Sequence, residues 1–198
     1  MADVARHEPL PVGSIGRLAS GWWGMITFIM TEAALFSYLL FSYFYFAVQY
    51  GHEWLPPELP AFHLSLPNTI VLLASSVAVW WGEQGAKRGQ NGRLVAGLAT
   101  GFVLGVAFVV VQIFEWGEKP FTMASSAYGS LFFTITGFHM AHVIGGLVIL
   151  GTLTVWSLLR YFDRERNAPI SIGAIYWHFV DVVWLAVFVS LYITPYLG

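Results

Sequence analysis

The stretch Tyr128–Leu150, Y-G-S-L-F-F-T-I-T-G-F-H-M-A-H-V-I-G-G-L-V-I-L, decides how this chain is read. The run continues to Leu159 without an acid or a base. At ~1.5 Å per helical residue it is long enough to cross the ~30 Å hydrocarbon core of a bilayer. Two histidines, His139 and His142, sit near its middle. A full charge at membrane depth costs at least ~2.5 kcal/mol, so ionisable side chains there face the bundle interior and mark a proton, ion or ligand site. Their spacing puts both rings on one helical face.

Composition extends that reading to the whole chain. Of 198 residues, 57% are hydrophobic and 10% charged, against ~25% charged in a soluble domain. The expected fold is all-α, a polytopic membrane bundle of five transmembrane helices. Apolar runs between polar breaks give Trp22–Tyr50, Leu66–Trp81, Leu94–Trp116, Tyr128–Leu159 and Ile172–Tyr196. The second is short unless it extends to Ala86. No separate soluble domain is expected: residues 1–21 read as a cytoplasmic tail without the apolar segment of a signal peptide, and 22–198 as one transmembrane domain. Cysteine is absent, which removes disulfides, thiolate metal sites and cysteine nucleophiles.

The distribution of Lys and Arg sets the orientation. Arg6, Arg17, Lys87, Arg88, Arg93, Arg160, Arg164 and Arg166 fall on one side of this topology, and Lys119 alone on the other. The positive-inside rule then places the N-terminus in the cytoplasm and the C-terminus outside. Trp22, Trp23, Trp54, Trp80, Trp81 and Trp116 lie at span ends, where an indole buries its ring and keeps its N–H wet. Gly97, Gly101 and Gly105 recur every four residues, as do Gly137, Ala141 and Gly145, and both sets read as helix-packing faces. There is no internal repeat of the kind transporters carry.

Six ionisable residues lie within spans: Glu32, Glu115, His139, His142, His178 and Asp181. Counted from the cytoplasmic ends, all but Glu115 fall ~9 to 15 Å in, whereas Glu115 lies ~30 Å in, near the outer surface beside Gln112. The five form a candidate buried protonatable cluster, and Glu115 a second buried carboxylate. The bland reading is that each is a hydrogen-bonded structural residue bridging helices. Among sharper readings, H-M-A-H and H-F-V-D have ligand spacing for a di-metal membrane oxidase, but the E-x-x-H motifs such sites use are missing at depth. A b-type cytochrome would clamp haem between His142 and His178. A transporter would use the acids and histidines as a proton relay, against which the missing repeat counts.

Two long motifs, S-A-Y-G-S-L-F-F-T-I-T-G-F-H-M-A-H-V-I-G-G at Ser126–Gly146 and Y-W-H-F-V-D-V-V-W at Tyr176–Trp184, resemble subunit III of the haem-copper terminal oxidases. T-E-A-A-L-F at Thr31–Phe36, P-N-T-I-V-L-L-A-S-S at Pro67–Ser76 and the Q-I-F-E-W end of the third span extend the resemblance to all five spans. The chain looks like the five-helix bacterial form, which lacks the first two helices of the seven-helix form. The resemblance implies a non-catalytic subunit of a proton-translocating oxidase, most similar to cytochrome c oxidase, in the bacterial plasma membrane. It implies no haem or metal in this chain, bound phospholipid, haem and copper in the catalytic subunit I and subunit II beside it, and no nucleic acid. The family's intramembrane carboxylate maps onto Glu32, its histidines onto His139, His142 and His178, and its W-H-F-V-D carboxylate onto Asp181. Quinol oxidases and nitric oxide reductases have related subunits, and the electron donor is read by other chains. S-S-A-Y-G-S departs from the Asp-Gly that many relatives carry before the Tyr.

Overall fold

The computed structural model describes residues 20–56, 59–60, 62–164 and 166–196. Most of the tail assigned to residues 1–21, Arg6 and Arg17 included, lies outside the described residues. The described chain is five long helices: α1 (Ser20–Tyr50), α2 (Phe62–Lys87), α3 (Asn91–Glu118), α4 (Ala127–Leu158) and α5 (Ala168–Phe188). All five are long and apolar enough to cross a membrane, α5 with its C-terminal turns included. The protein is a multi-pass membrane protein.

The second and fifth spans differ most from the expected ones, each for a local reason. The second helix begins at Phe62 and runs to Lys87, with Pro67 inside its second turn. Proline there removes one early N–H, which a helix tolerates far better near its start than in mid-span. At the other end α2 carries Glu83 and Lys87, paired at 2.8 Å one turn apart, so the helix continues beyond its apolar run. The fifth span is not one uniform helix: α5 gives way to a π turn at Val189–Ile193 and a 3₁₀ turn at Thr194–Tyr196. Pro195 has no N–H to give the carbonyl one turn back, so the regular ladder cannot reach the end of the chain.

The α2–α3 connection is a tight reversal. Gly89 has φ +70°, and the N–H groups of Gly89 and Gln90 close onto the carbonyls of Ala86 and Gly85 at 2.9 Å each. This left-handed C-terminal cap is inexpensive for glycine alone. Arg160 occupies the equivalent position after α4 with φ +59°, its successor Tyr161 N–H bonding to Trp156 O at 3.0 Å. Here no glycine relieves the conformation.

From the cap the two helices run side by side in close contact. A Cβ built on Gly97 would lie 2.5 Å from Gly82 Cα, and one on Gly101 would strike the Val79 side chain. The first glycine face therefore holds α3 against α2, backbone to backbone, over its first two members. Gly105 serves another neighbour: its missing Cβ makes room for Trp177 of α5 and Leu147 of α4. The second face is placed differently. Nothing lies nearer to a Cβ at Gly137 than Trp116 at 4.0 Å, or at Gly145 than the Tyr176 hydroxyl at 3.5 Å, and Ala141 is exposed. On α4 the close approach falls on Gly146, whose Cβ would sit 2.7 Å from the Trp177 ring.

The core lies around α5. Over half of its most apolar window is buried, against 6% for α1, which packs on α5 and α4 from the edge. Trp177 and Trp184 are wholly buried, and their indole N–H groups donate to Ser75 Oγ (3.0 Å) and Thr69 Oγ1 (2.9 Å) of α2. Each hydroxyl donates in turn to a carbonyl of its own helix, Ser75 to Leu72 and Thr69 to Ser65. The N–H of each indole and the O–H of each hydroxyl thus have a partner within the bundle.

A Gly97→Leu variant should separate α2 from α3 and cost roughly 1–3 kcal/mol, the usual range for overpacking a close contact. Gly137→Leu should leave the stability of the chain unchanged. Unfolding of both variants in mild detergent, followed by tryptophan fluorescence, measures the difference; equal losses would show that Gly137 is packed as tightly as Gly97.

Candidate functional site

The five residues expected to share one layer occupy separate places. Glu32 of α1 and His142 of α4 meet directly, Oε2 to Nε2 at 2.8 Å. The other ring nitrogen, Nδ1, lies 2.6 Å from the Phe138 carbonyl one turn back. A carbonyl only accepts, so Nδ1 carries a hydrogen. The Nε2–Oε2 contact is then a hydrogen bond between imidazole and carboxyl group that ties α4 to α1. Phe36 stands edge-on to the ring at 5.0 Å, and Tyr176 of α5 donates to the His142 carbonyl at 3.2 Å. Through this pair and that tyrosine, α1, α4 and α5 are joined. Both side chains remain part-exposed, at 19% and 13%.

His139 is one turn away in sequence but stands in an apolar cage. It is buried, obliquely stacked on Trp184 at 4.9 Å, and edge-on to Phe108 at 5.9 Å and Phe36 at 6.4 Å. Neither ring nitrogen has a hydrogen-bond partner among the described residues. Its contribution is packing between α4, α3, α5 and α1.

His178 and Asp181 turn to α2 instead. His178 Nδ1 lies 2.5 Å from Ser76 Oγ. Asp181 is 4% exposed and sits beside the same hydroxyl, but both carboxylate oxygens lack a partner of good geometry, the hydroxyl being engaged by the imidazole. Nearer the α2 C-terminus, Glu83 accepts from Ser171 Oγ of α5 at 2.7 Å as well as from Lys87. Sequence reasoning passed over Ser76, Glu83 and Ser171. The available signal was spacing: Ser76 and Glu83 stand seven apart on α2, as Ser171 and His178 do on α5, which keeps each pair on one face.

Glu115 is buried although it lies in the last turn of α3. It accepts from Tyr192 Oη at 2.6 Å and from Lys119 Nζ at 2.8 Å. The Lys119 ammonium is itself enclosed, 7% exposed, and lies over the rings of Tyr192 (5.2 Å) and Phe132 (5.3 Å). Gln112, one turn below, is buried too. This ion latch ties the α3–α4 corner to the π turn that ends α5.

Among the described residues, no three His, Cys, Asp or Glu side chains converge as ligands for a metal ion. The spacing of H-M-A-H and H-F-V-D is real, but its members face different neighbours. What is assembled is a helix tie between α1 and α4, a polar seam between α2 and α5, and an ion latch. The family model described as cytochrome c oxidase subunit III matches residues 18–196. The chain belongs to the cytochrome c oxidase subunit III family. Its curated relatives include cytochrome c oxidase subunit 3 of Drosophila melanogaster, 36% identical over 177 residues that span 86% of this chain and 68% of the relative. The subunits 3 of Scyliorhinus canicula and Danio rerio are 38% and 37% identical over alignments of the same length and coverage. As a subunit III chain it is an accessory subunit that works within the oxidase complex.

The ion latch gives a direct test of how its charges are held. Lys119→Met strands the Glu115 carboxylate in a buried site and should cost ~3–5 kcal/mol. Lys119→Met with Glu115→Gln removes both charges and should recover most of that loss. A double-mutant cycle on the detergent-solubilised complex measures it; a double variant as unstable as Lys119→Met alone would show that the latch acts through packing rather than charge.

Proposed function

We propose that this chain supports proton uptake, lipid binding and the stability of the catalytic subunit in a cytochrome c oxidase of the bacterial plasma membrane. Its N-terminus is cytoplasmic, its immediate partners are the catalytic subunit I and subunit II, and the haem and copper reside in those partners. The chain itself carries phospholipid and no redox centre. The observation that carries the proton reading is the Glu32–His142 pair. A carboxyl group and an imidazole on two helices are hydrogen-bonded within a transmembrane layer, at a place still part-open to the surroundings. Buried ionisable pairs at such depth are costly and mark proton sites. The aromatic and glycine-lined contacts around Trp177 supply the rigid frame that keeps the pair in register.

Glu32→Gln retains shape and hydrogen bonding but removes the titration. In the assembled oxidase this variant should turn over normally at low pH and lose rate as pH rises and protons become scarce. Glu32→Ala, which also breaks the α1–α4 tie, should impair assembly. The pH–rate profile of the purified complex is the measurement, and superimposable profiles for wild type and Glu32→Gln would refute the proton role.

Topology and cofactor content are tested separately. Single cysteines at Gln90 and Glu118 should label from opposite sides of the membrane, Gln90 from the cytoplasm; labelling from one side would overturn the orientation. The isolated chain should show no Soret band and no stoichiometric iron, copper or zinc. A Soret band abolished by His142→Ala would establish a haem ligand here instead.

A further inference from the structure

We propose that the cavity where α2 finishes and α5 begins, walled by Glu83 and Lys87, is a binding site for a zwitterionic lipid headgroup, the ammonium and phosphate of a phosphatidylethanolamine. The proposal rests on the reading of the chain as one that carries phospholipid. It adds where one lipid sits and which chemistry selects it.

The cavity measures about 260 Å³ and is lined by Trp22, Glu83, Lys87, Asn167, Ser171 and Ile172 among others. A single water needs ~10–15 Å³ on the same measure, so the space takes a polar group much larger than water. Three helices bound it: the first turn of α1, the last turns of α2 and the first turns of α5. Its polar wall is an ion pair with part of each member left over. Both contacts of Glu83 fall on one oxygen, Oε1, which accepts from Lys87 Nζ at 2.8 Å and from Ser171 Oγ at 2.7 Å. Oε2 is thereby left to the cavity, and the Lys87 ammonium, with three hydrogens, keeps two. Glu83 is held firmly, with its side chain 13% exposed, while Lys87 at 40% lies toward the mouth. Asn167 stands at the N-cap of α5 but caps none of its N–H groups; its Nδ2 donates to the Arg164 carbonyl at 2.8 Å, which leaves Oδ1 as a further acceptor of the lining.

This set is complementary to a zwitterion. A carboxylate oxygen and an amide oxygen accept from a primary ammonium, and the lysine hydrogens meet a phosphate. A lone anion there would face the Glu83 carboxylate and a lone cation the Lys87 ammonium, and either leaves a charge uncompensated in a half-enclosed place. A trimethylated headgroup has no N–H to give Oε2. Location makes the ligand a lipid rather than a solute. The cavity lies at the ends of three membrane-crossing helices, on the side where Lys87, Arg88 and Arg93 flank one corner and Arg160, Arg164 and Arg166 the other. Headgroups lie at that level, and Trp22 and Ile172 offer the apolar edge that a glycerol and its first acyl carbons need. A headgroup seated there bridges the start of α1, which packs chiefly on α5 and α4, to the end of α2.

The test counts lipids on the purified oxidase complex by native mass spectrometry, after exchangeable lipid has been stripped and phosphatidylethanolamine, phosphatidylcholine or phosphatidylglycerol of the same acyl chains is added back. At low added lipid the wild-type complex should hold one phosphatidylethanolamine more than the Glu83→Gln complex. Filling that place in the variant should take ~10-fold more lipid, the loss of a charge-assisted hydrogen bond. Phosphatidylcholine and phosphatidylglycerol should show no such difference. Asn167→Ala, outside the ion pair, should weaken the same phosphatidylethanolamine by a smaller factor, and it carries the test if Glu83→Gln does not assemble. The proposal is overturned if wild type and both variants hold phosphatidylethanolamine equally, or if the difference appears to the same extent with either of the other two lipids. Should a complex lacking this chain hold the same lipids as the wild type, the reading that the chain carries phospholipid fails as well, so the two failures are told apart.

Discussion

The indole of Trp177 is the contact on which the bundle depends. Its N–H reaches Ser75 on α2, and its ring occupies the spaces left by Gly105 on α3 and Gly146 on α4. One side chain of α5 thus touches the other three core helices. In a membrane there is no hydrophobic force to push helices together, because lipid tails are as apolar as leucine, so association depends on close packing and on satisfied polar groups. A large flat ring entering two glycine notches supplies the first, and an indole N–H donating to a serine hydroxyl supplies the second. Trp184 repeats the arrangement two turns on with Thr69 and the edge of Phe108.

That geometry also distributes the polar residues. With the tryptophan face of α5 turned to α2 and α3, Asp181 and His178 are carried toward α2, and Tyr176 toward His142 on α4. Helix α1, packed from the edge, brings Glu32 to the opposite side of α4. A set of groups at similar depth is therefore divided by direction. The division leaves a hydrogen-bonded imidazole–carboxyl pair at one place and an unpartnered carboxyl at the other seam, two chemically distinct settings within one small chain.

Charge at the latch end shows a related economy. Among the described residues Lys119 is the one basic residue at that end of the bundle, yet it lies beneath aromatic rings and against Glu115. A neutralised, enclosed lysine contributes little field at the surface, so the asymmetry between the two faces is steeper than a residue count suggests. The same lysine then serves packing, since its pair with Glu115 and Tyr192 anchors the irregular turns that close α5.

The sequence by itself determined the number and order of the helices, because continuous apolar runs and the polar breaks between them are local properties that a bilayer reads directly. It also determined that Glu115 stands apart from the other ionisable residues, since depth follows from counting along one helix, and the two long motifs carried the family. Only the tertiary structure decided which depth-matched residues touch. Rotation of one helix against another is set by non-local packing of Trp177, Gly105 and Gly146, and no single span encodes its neighbour's azimuth. For the same reason Gly97 and Gly137, alike in pattern, differ in role: one faces the Gly82 backbone closely, the other meets only the Trp116 ring at 4.0 Å. Ser76 gains its imidazole partner, and Glu83 its hydroxyl partner beside Lys87, only when α5 is docked, because a hydroxyl or a helix-end acid becomes a site through what stands opposite it.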